Sequence, residues 1–308
     1  MHVLQVVTTA SPFFEQQVEA LESHGVECTT VTVPETGTLV ESADAYRRFY
    51  QRILSRGLDS YDLVHANYGL TGPFALAQPT RPVVLSVWGS DVMSDSTALT
   101  ATTELAARGS DAVVAPSEAI SESMSVPHDV VPFALDTERF RPVDRERARE
   151  AVDWDPDGHV VLFPYHPDRD VKDHERAKRV VTQVAELLDE PVDLRWIWGV
   201  DHDRVPLYMN ASDAVLVTSR RESGPMVVKE AAACNVPVVS TDVGFVDAAL
   251  DGVENSHVAG TDAGLVDALA SALQSDGRSD GRSETAFLTP DRMGERLADL
   301  YADVLASS

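Results

Sequence analysis

Cysteine is almost absent from this chain of 308 residues, which contains only Cys28 and Cys234. Cys28 falls in a predicted strand and Cys234 in a predicted helix. So few cysteines exclude a disulfide framework. We therefore interpret both as inert core thiols rather than as a disulfide or a metal-binding pair.

Long apolar runs are also missing. No run approaches the ~20 residues that a membrane-spanning helix needs. The first residues, MHVLQVVTT, carry no charged n-region and read directly as a strand, so we predict no secretory signal peptide. These two absences favour a cytoplasmic protein.

Positive charge is scarce. Lysine and arginine together number 25, against 50 aspartates and glutamates, which gives a formal net charge of −25. The only lysines are Lys172, Lys178 and Lys229. Because so acidic a surface repels phosphate, we predict no nucleic-acid partner.

The acidic excess predicts adaptation to a cytoplasm of molar salt. There the Debye length falls to about 3 Å, and self-repulsion between carboxylates is screened. We expect the protein to be more stable in molar KCl than in dilute buffer when unfolding is followed by far-UV circular dichroism. Equal stability in both would favour the alternative, an acidic protein of an ordinary cytoplasm.

Short valine-rich runs alternate with helical stretches in both halves of the chain. These runs are continuously apolar, as in strands buried on both faces. The alternation predicts an α/β fold with parallel, doubly wound sheets. The polar segment 136–158 interrupts it and is the predicted interdomain connection. We place the domains at residues 1–142 and 143–290, followed by a final helix within 291–308.

Two glutamates flank a helix start in TSRRESGPMVVKEAAACNVPVVSTDVG, residues 218–244. Seven residues separate Glu222, in the loop after a predicted strand, from Glu230 in the following helix. Gly224 allows close approach of a ligand to the backbone, and Pro225 suits the first helical position. The helix start offers N–H groups to a phosphate. This arrangement suits a nucleotide sugar; the alternative is a capped helix with solvated glutamates.

A second candidate segment is LFPYHPDRDVKDHERAKRV, residues 162–180. Arg169 and Lys172 follow its strand and precede its helix. An arginine and a lysine so placed can hold a diphosphate and stabilise the charge of a leaving group. A solvated loop at a helix start is the alternative.

These segments resemble the family-four retaining glycosyltransferases of GT-B fold. The likeness rests on the two segments above, on VPLYMNASDAVLVTS between them and on PFALDTERFRP before the connection. It covers nearly the whole chain and is most specific over residues 205–244. It implies two Rossmann-like doubly wound domains facing across a cleft: an N-terminal acceptor-binding domain and a C-terminal nucleotide-sugar donor-binding domain. It also implies that the last helix packs back on the N-terminal domain.

The resemblance implies roles for matching positions. Glu222 would contact the transferred sugar, and Arg169 and Lys172 would bind the diphosphate. Reaction would retain the anomeric configuration, the departing phosphate would help to deprotonate the acceptor, and no metal or cofactor would be required. The positions assigned to donor binding are Ser223, Gly224, Pro225, Met226 and Glu230.

Two positions depart from the family pattern. Where the family often has Gly-Arg after the first strand of the donor domain, this chain has Pro164 and Tyr165, and the arginine is displaced to Arg169. Where many members carry His-Gly in the acceptor domain, this chain has Trp88 and Gly89. Trp88 cannot relay a proton, and the sequence leaves open whether it stacks on an acceptor or packs.

The acceptor-side candidates are His65, Asn67, Trp88 and Asp91. His65 and Asn67 end the third predicted strand, and Trp88 and Asp91 follow the fourth. A structural histidine and an aspartate that caps a turn are the alternatives for His65 and Asp91.

A basic face is predicted on one N-terminal helix, formed by Arg47, Arg48, Arg52 and Arg56. It predicts peripheral contact with an anionic acceptor or with lipid at the inner membrane face. A solvated face paired with nearby acids is the alternative. Asp201-His202-Asp203 superficially matches the Asp-x-Asp metal signature of another fold, but its surroundings do not, so we predict no metal site.

Other functions fit parts of the pattern. A GT-B sugar-nucleotide epimerase shares the architecture and needs no second substrate. A non-catalytic nucleotide-sugar-binding protein would not require an intact glutamate pair. A nicotinamide-dependent oxidoreductase is disfavoured because TTASPFF, after the first strand, contains no Gly-x-Gly-x-x-Gly.

Overall fold

The computed structural model describes residues 1–34, 39–56, 60–155, 158–222, 224–275 and 277–307, with the side chains of the second range described from residue 43. It divides the chain into two compact units. Unit 1 consists of Met1–Ala134 and Leu288–Ser308, and unit 2 of Leu135–Phe287. The chain therefore leaves unit 1 once and returns to it at its C-terminal end.

Unit 1 contains a parallel sheet with the strand order β2-β1-β3-β4-β5-β6. Every residue of β3 and β4 is buried, which explains why these strands are mostly apolar and do not alternate with exposed polar residues. The strands are β1 (His2–Val7), β2 (Glu27–Thr32), β3 (Leu63–Asn67), β4 (Val83–Ser86), β5 (Ala112–Ala115) and β6 (Asp129–Val130). The helices are α1 (Pro12–Ser23), α2 (Leu39–Leu54), α3 (Gly72–Ala77), α4 (Thr97–Gly109), α5 (Glu118–Ser121) and α13 (Pro290–Ser307).

Helices cover both faces of this sheet. Phe49 and Ile53 of α2 belong to one buried cluster, and Leu21 of α1 belongs to the other, together with Leu297 and Tyr301 of α13. The last helix is thus part of the unit 1 core.

Helix α13 lies so close to α1 that one position on it has no room for a side chain. A Cβ added at Gly294 would lie 2.5 Å from the carbonyl oxygen of Ala20. The two helices are therefore in backbone contact at this glycine.

Unit 2 contains a second parallel sheet, with the strand order β11-β10-β9-β7-β8. Its strands are β7 (His159–Phe163), β8 (Val192–Trp196), β9 (Ala214–Val217), β10 (Val238–Ser240) and β11 (His257–Val258). Its helices are α6 (Arg145–Val152), α7 (His174–Leu188), α8 (Val205–Ala211), α9 (Met226–Ala233), α10 (Val246–Leu250), α11 (Asp262–Gln274) and α12 (Gly281–Thr285). Both sheets are doubly wound, as the strand–helix alternation predicts.

Two short helices, α3 and α12, are not predicted from the sequence. Helix α12 follows a stretch rich in glycine, serine and aspartate, which reads as a break. Its Gly281 lies against Ala232 of α9, where an added Cβ would be 2.8 Å from the Ala232 Cβ. Helix α12 therefore packs closely against α9, a contact that its local composition does not reveal.

Candidate functional site

The predicted donor residues lie at the carboxyl edge of the unit 2 sheet. The strand order places β7 beside β9, and β8 and β10 lie on opposite sides of this pair. In a doubly wound sheet this is the switch point, where the loops leaving two neighbouring strands diverge and leave a crevice for a ligand. The loop after β7 carries Lys172, and the loop after β9 carries Glu222.

Hydrogen bonds fasten these two loops together. The Thr218 hydroxyl donates to the carbonyl oxygens of both Lys172 and Asp173, at 2.9 Å each. The Arg220 backbone N–H donates to the Val171 carbonyl at 2.9 Å. Because three bonds fix the backbone around Lys172, its side chain starts from a defined position.

Lys172 and Glu222 form a buried ion pair. The Lys172 Nζ donates to Glu222 Oε1, and the two side chains are 6% and 14% exposed. Ser219 donates its hydroxyl to the same Oε1 at 2.8 Å. Among the described residues both bonds reach Oε1, so Oε2 has lone pairs available to accept further hydrogen bonds.

Tyr165 completes this cluster. The Lys172 Nζ lies 4.0 Å from the centroid of its ring, a cation–π distance. Burial and the charge of Glu222 raise the pKa of the Tyr165 hydroxyl well above its usual range. Burial lowers the pKa of Lys172, and its hydrogen bond to Glu222 opposes that effect. Tyr165 stands where the family often has arginine, so here an aromatic ring supports the lysine.

Arg169 lies in the loop between β7 and α7, three residues before Lys172, and is exposed. Its carbonyl oxygen accepts a hydrogen bond from the Lys172 N–H at 2.8 Å. Its positive charge also contributes to lowering the pKa of Lys172, so the two cations lie near each other. Diphosphate binding by Arg169 stays a prediction.

Glu230, on α9, faces a histidine. Its Oε1 lies 3.9 Å from His202 Nε2, and the interaction with Glu230 raises the pKa of His202. On its other side, His202 Nδ1 lies 2.9 Å from Arg139. Arg139 also pairs with Asp203 at 3.1 Å. Two members of Asp201-His202-Asp203 thus contact an arginine and a glutamate of the same unit.

The turn between the two glutamates is only partly described, since Ser223 lies outside the described residues. Pro225 is the residue that caps the start of α9, and Met226 is the first residue of that helix. Gly224 packs directly against the ring of Phe245, and an added Cβ would lie 2.3 Å from Phe245 Cδ1. Any larger residue at 224 would displace Phe245 from the start of α9.

Lys229 is a second buried lysine of this unit, at 8% exposure. Its Nζ lies 4.2 Å from the centroid of the Phe245 ring. Burial lowers its pKa to about 8. The folded state therefore holds this proton less tightly than the unfolded state, whose lysine has a pKa of about 10.4.

We expect Lys229→Met to raise the free energy of unfolding by about 2 kcal/mol at pH 7, since it removes a buried charge at the cost of a cation–π contact. The wild type should gain stability as the pH rises from 8 toward 10.4, because the unfolded chain then binds more protons. The advantage of the variant should shrink over the same range. Urea unfolding at pH 7 and 10 checks this, with exposed Lys178→Met as the control. Loss of stability in Lys229→Met at pH 7 would contradict it.

His65 and Asn67, two acceptor-side candidates, are fully buried. His65 Nδ1 lies 2.6 Å from the Tyr301 hydroxyl and Nε2 lies 2.7 Å from the Ser86 hydroxyl. Asn67 accepts from Gln17 at 2.9 Å. Burial lowers the pKa of His65 to about 3, so the ring is neutral at ordinary pH. The structure thus places both in the core of unit 1 rather than on a surface that an acceptor can touch.

Asp91 and Trp88 shape the carboxyl edge of the unit 1 sheet. The fully buried Asp91 accepts from the N–H groups of Gly69 at 2.7 Å and Trp88 at 2.9 Å. It therefore fastens the loop after β3 to the loop after β4. Trp88 packs edge-on against Phe13, at 4.5 Å between centroids, while its indole N–H is buried with no partner among the described residues.

The predicted basic face separates into two pairs. Arg47 and Arg48 both pair with Asp44, at 2.6 and 2.9 Å. Arg52 and Arg56 line a small cavity beside strand β2. Membrane contact through these arginines stays a prediction. In the described parts of the chain, no helix has the length and apolarity needed to cross a bilayer.

Three contacts escape the sequence patterns: Tyr165 under Lys172, Ser219 on Glu222 and His202 against Glu230. Tyr165 and Ser219 lie within the two candidate segments, so the sequence places them near the predicted site without indicating what they contact. His202 lies outside both segments, in the loop after β8, so nothing in the sequence indicated its contact with Glu230.

Comparisons with known proteins show similarity to glycosyltransferases over part of the chain. Residues 172–287 match the family model of the glycosyl transferases group 1. D-inositol 3-phosphate glycosyltransferase 2 of Catenulispora acidiphila is 30% identical over 257 residues, a match that covers 66% of this chain and 60% of that protein. The match therefore spans somewhat over half the length of that relative.

Solved structures show the same fold. Sucrose-phosphate synthase from Thermosynechococcus elongatus has a TM-score of 0.78 and 16% identity, over 100% of both chains. Anabaena Alr3699/HepE, in complex with UDP and glucose, has a TM-score of 0.69 and 16% identity, over 98% of this chain and 100% of that one. The predicted fold, two parallel-sheet α/β domains of GT-B type, is confirmed.

Proposed function

We propose that this chain is a glycosyltransferase that moves a sugar from a nucleotide-sugar donor to an acceptor hydroxyl. The observation that carries the proposal is the buried Lys172–Glu222 pair at the switch point of unit 2. It lies within the segment that matches the glycosyl transferases group 1. The name of the relative and the complex of Alr3699/HepE with UDP-glucose suggest inositol 3-phosphate and UDP-glucose as the first acceptor and donor to test.

Each member of the site has a distinct role in this proposal. Lys172 has three N–H donors, one of which goes to Glu222, so two can reach phosphate oxygens. Charge that develops on the departing diphosphate is stabilised by this cation in a site largely shielded from water, where electrostatic interactions are strong. Glu222 Oε2 accepts from a sugar hydroxyl, and Glu230 accepts from the ribose hydroxyls.

Finer features follow from the resemblance stated above. We propose a hexose as the transferred group, retention at the anomeric carbon, and a rate that does not depend on added metal because Lys172 and Arg169 supply the positive charge. Proton NMR of the product would show the anomeric configuration, and assays with EDTA would show the metal dependence.

The test begins with a thermal-shift screen of nucleotide sugars in high salt. A ligand at 100 times its dissociation constant stabilises the fold by about 2.7 kcal/mol. Donors that bind are then incubated with acceptors, for the wild type and for Glu230→Gln. We expect transfer by the wild type and weaker donor binding by the variant. Conversion of the donor alone would indicate an epimerase, and binding without turnover on any acceptor would contradict the enzymatic proposal.

A further inference from the structure

A second polar cavity lies in unit 2 at the opposite edge of the sheet from the Lys172–Glu222 pair. Its volume is about 580 Å³. It is lined by residues at the amino ends of three strands: His159 begins β7, Asp213 precedes β9 and Pro237 precedes β10. Because all strands of the sheet are parallel, this edge is separated from the candidate donor site by the length of the strands.

Three arginines converge on this cavity, which we call the basic cavity. Arg145 and Arg149 come from α6, and Arg278 comes from the segment after α11. Both α6 arginines bind one carboxylate: Arg145 donates to Asp213 Oδ1, and Arg149 to Oδ2 at 2.8 Å. Asp213 Oδ2 also accepts from the Val160 N–H at 2.7 Å, so this buried carboxylate accepts hydrogen bonds from three donors.

Arg278 has no carboxylate partner among the described residues. Its Nε and Nη1 donate to the carbonyl oxygens of Asn235 and Asn210, both at 3.2 Å. Its Nη2 is buried and has no hydrogen-bond partner in the described parts of the chain. An unsatisfied buried guanidinium N–H is unfavourable unless a ligand accepts from it.

The other described acidic groups at or beside the cavity already have partners. Glu190 is exposed and lies 3.1 Å from His159. Glu146 is exposed and lies 3.6 Å from Arg149. Asp144 caps α6 by accepting from the Arg147 N–H at 3.1 Å.

Among the described residues, Asp213 is the one buried carboxylate that pairs with these arginines, and it pairs with Arg145 and Arg149 but not with Arg278. Burial, together with the charges of Arg145 and Arg149, lowers the pKa of Arg278, which shows that the cations are close enough to repel one another. The carboxylate of Asp213 offsets part of this repulsion, and a bound anion would offset more of it.

We propose that the basic cavity binds the phosphate group of a phosphorylated small molecule, held by Arg145 and by the Nη2 of Arg278. Guanidinium groups match phosphate oxygens in geometry and charge. The volume falls in the range of small-molecule pockets, so the ligand carries more than an inorganic phosphate. The site is separate from the proposed donor site.

The full-length chain is titrated calorimetrically with inorganic phosphate, glucose 6-phosphate and glucose in a phosphate-free buffer. We expect both phosphates to bind, the sugar phosphate more tightly, and glucose not to bind. Arg145→Gln should weaken phosphate binding about 10-fold, the loss of one charged hydrogen bond. It should leave the affinity for UDP unchanged. Arg179→Gln, an exposed arginine of α7, is the matched control.

Arg145 is preferred to Arg278 for the test because Arg278 also bonds two carbonyls near the ends of α8 and α9, and its loss endangers folding. Lys172→Gln separates the two sites. Phosphate binding that survives in Lys172→Gln but weakens in Arg145→Gln supports the proposal. No binding to the wild type, equal binding to Arg145→Gln, or binding lost only in Lys172→Gln would overturn it.

Discussion

Lys172→Ala is expected to lower kcat/KM for sugar transfer by about 100- to 1,000-fold, the usual cost of deleting one group that stabilises developing charge. The reason is the position of the Nζ, which is buried, tied to Glu222 and placed at the switch point. The chain offers a matched control in Lys178, an exposed lysine on α7 that pairs only with Glu175 at 2.7 Å among the described residues. Lys178→Ala should retain full activity.

This substitution also leaves Glu222 buried without its cation. Removing one partner of a buried pair costs about 3–5 kcal/mol, so the variant's fold must be checked separately from its rate. The double variant Lys172→Met, Glu222→Gln removes both charges and should recover much of the stability while remaining inactive. Thermal melts and initial rates of all four proteins provide the comparison. Wild-type activity in a folded Lys172→Ala protein would refute the assignment.

Gly294→Val is expected to lower the free energy of unfolding by about 3 kcal/mol. An added Cβ at this position would lie 2.5 Å from the Ala20 carbonyl oxygen, so α13 has to move away from α1. Such a movement would strain the buried contacts of Tyr301, whose hydroxyl lies 2.6 Å from His65 Nδ1 and 3.3 Å from Gln5 Nε2. Valine is itself a better helix former than glycine, so the loss must come from the clash.

Urea unfolding followed by circular dichroism measures this effect, with Ala302→Val as the control. Ala302 is exposed on the same helix, so its substitution adds the same side chain without a clash. We expect that control to change stability by no more than about 0.5 kcal/mol. A Gly294→Val protein as stable as the wild type would mean that α13 does not lie against α1 as the structure shows.

Much of the fold could be predicted because strands and helices are specified by short stretches of sequence. The sequence predicts a strand over 2–7 and helices over 12–23 and 174–188, and the structure has β1, α1 and α7 at these bounds, since each has a clear apolar period and a distinct start. Helix α12 could not be predicted, because its own composition, rich in glycine, serine and aspartate, is typical of a loop.

The candidate site likewise combines features that the sequence shows with contacts that only the structure shows. The Glu222 and Glu230 spacing and the lysine after β7 are visible in the sequence. The contact between Lys172 and Glu222 joins residues 50 positions apart, and that between His65 and Tyr301 joins residues 236 apart. The sequence left open whether His65 binds an acceptor or is a structural histidine, and its burial and its contacts with Tyr301 and Ser86 favour the second.

By itself, the sequence determined the α/β class, the acidic character and the segments that hold the candidate donor residues. Only the tertiary structure decided which loops meet, that Tyr165 supports Lys172, and that three arginines converge at the other edge of the sheet. The physical reason is the separation along the chain over which each interaction acts. Hydrophobic periodicity and capping act over a few residues, whereas strand order sets which distant side chains become neighbours, and that order is fixed by how all the elements bury their apolar faces together.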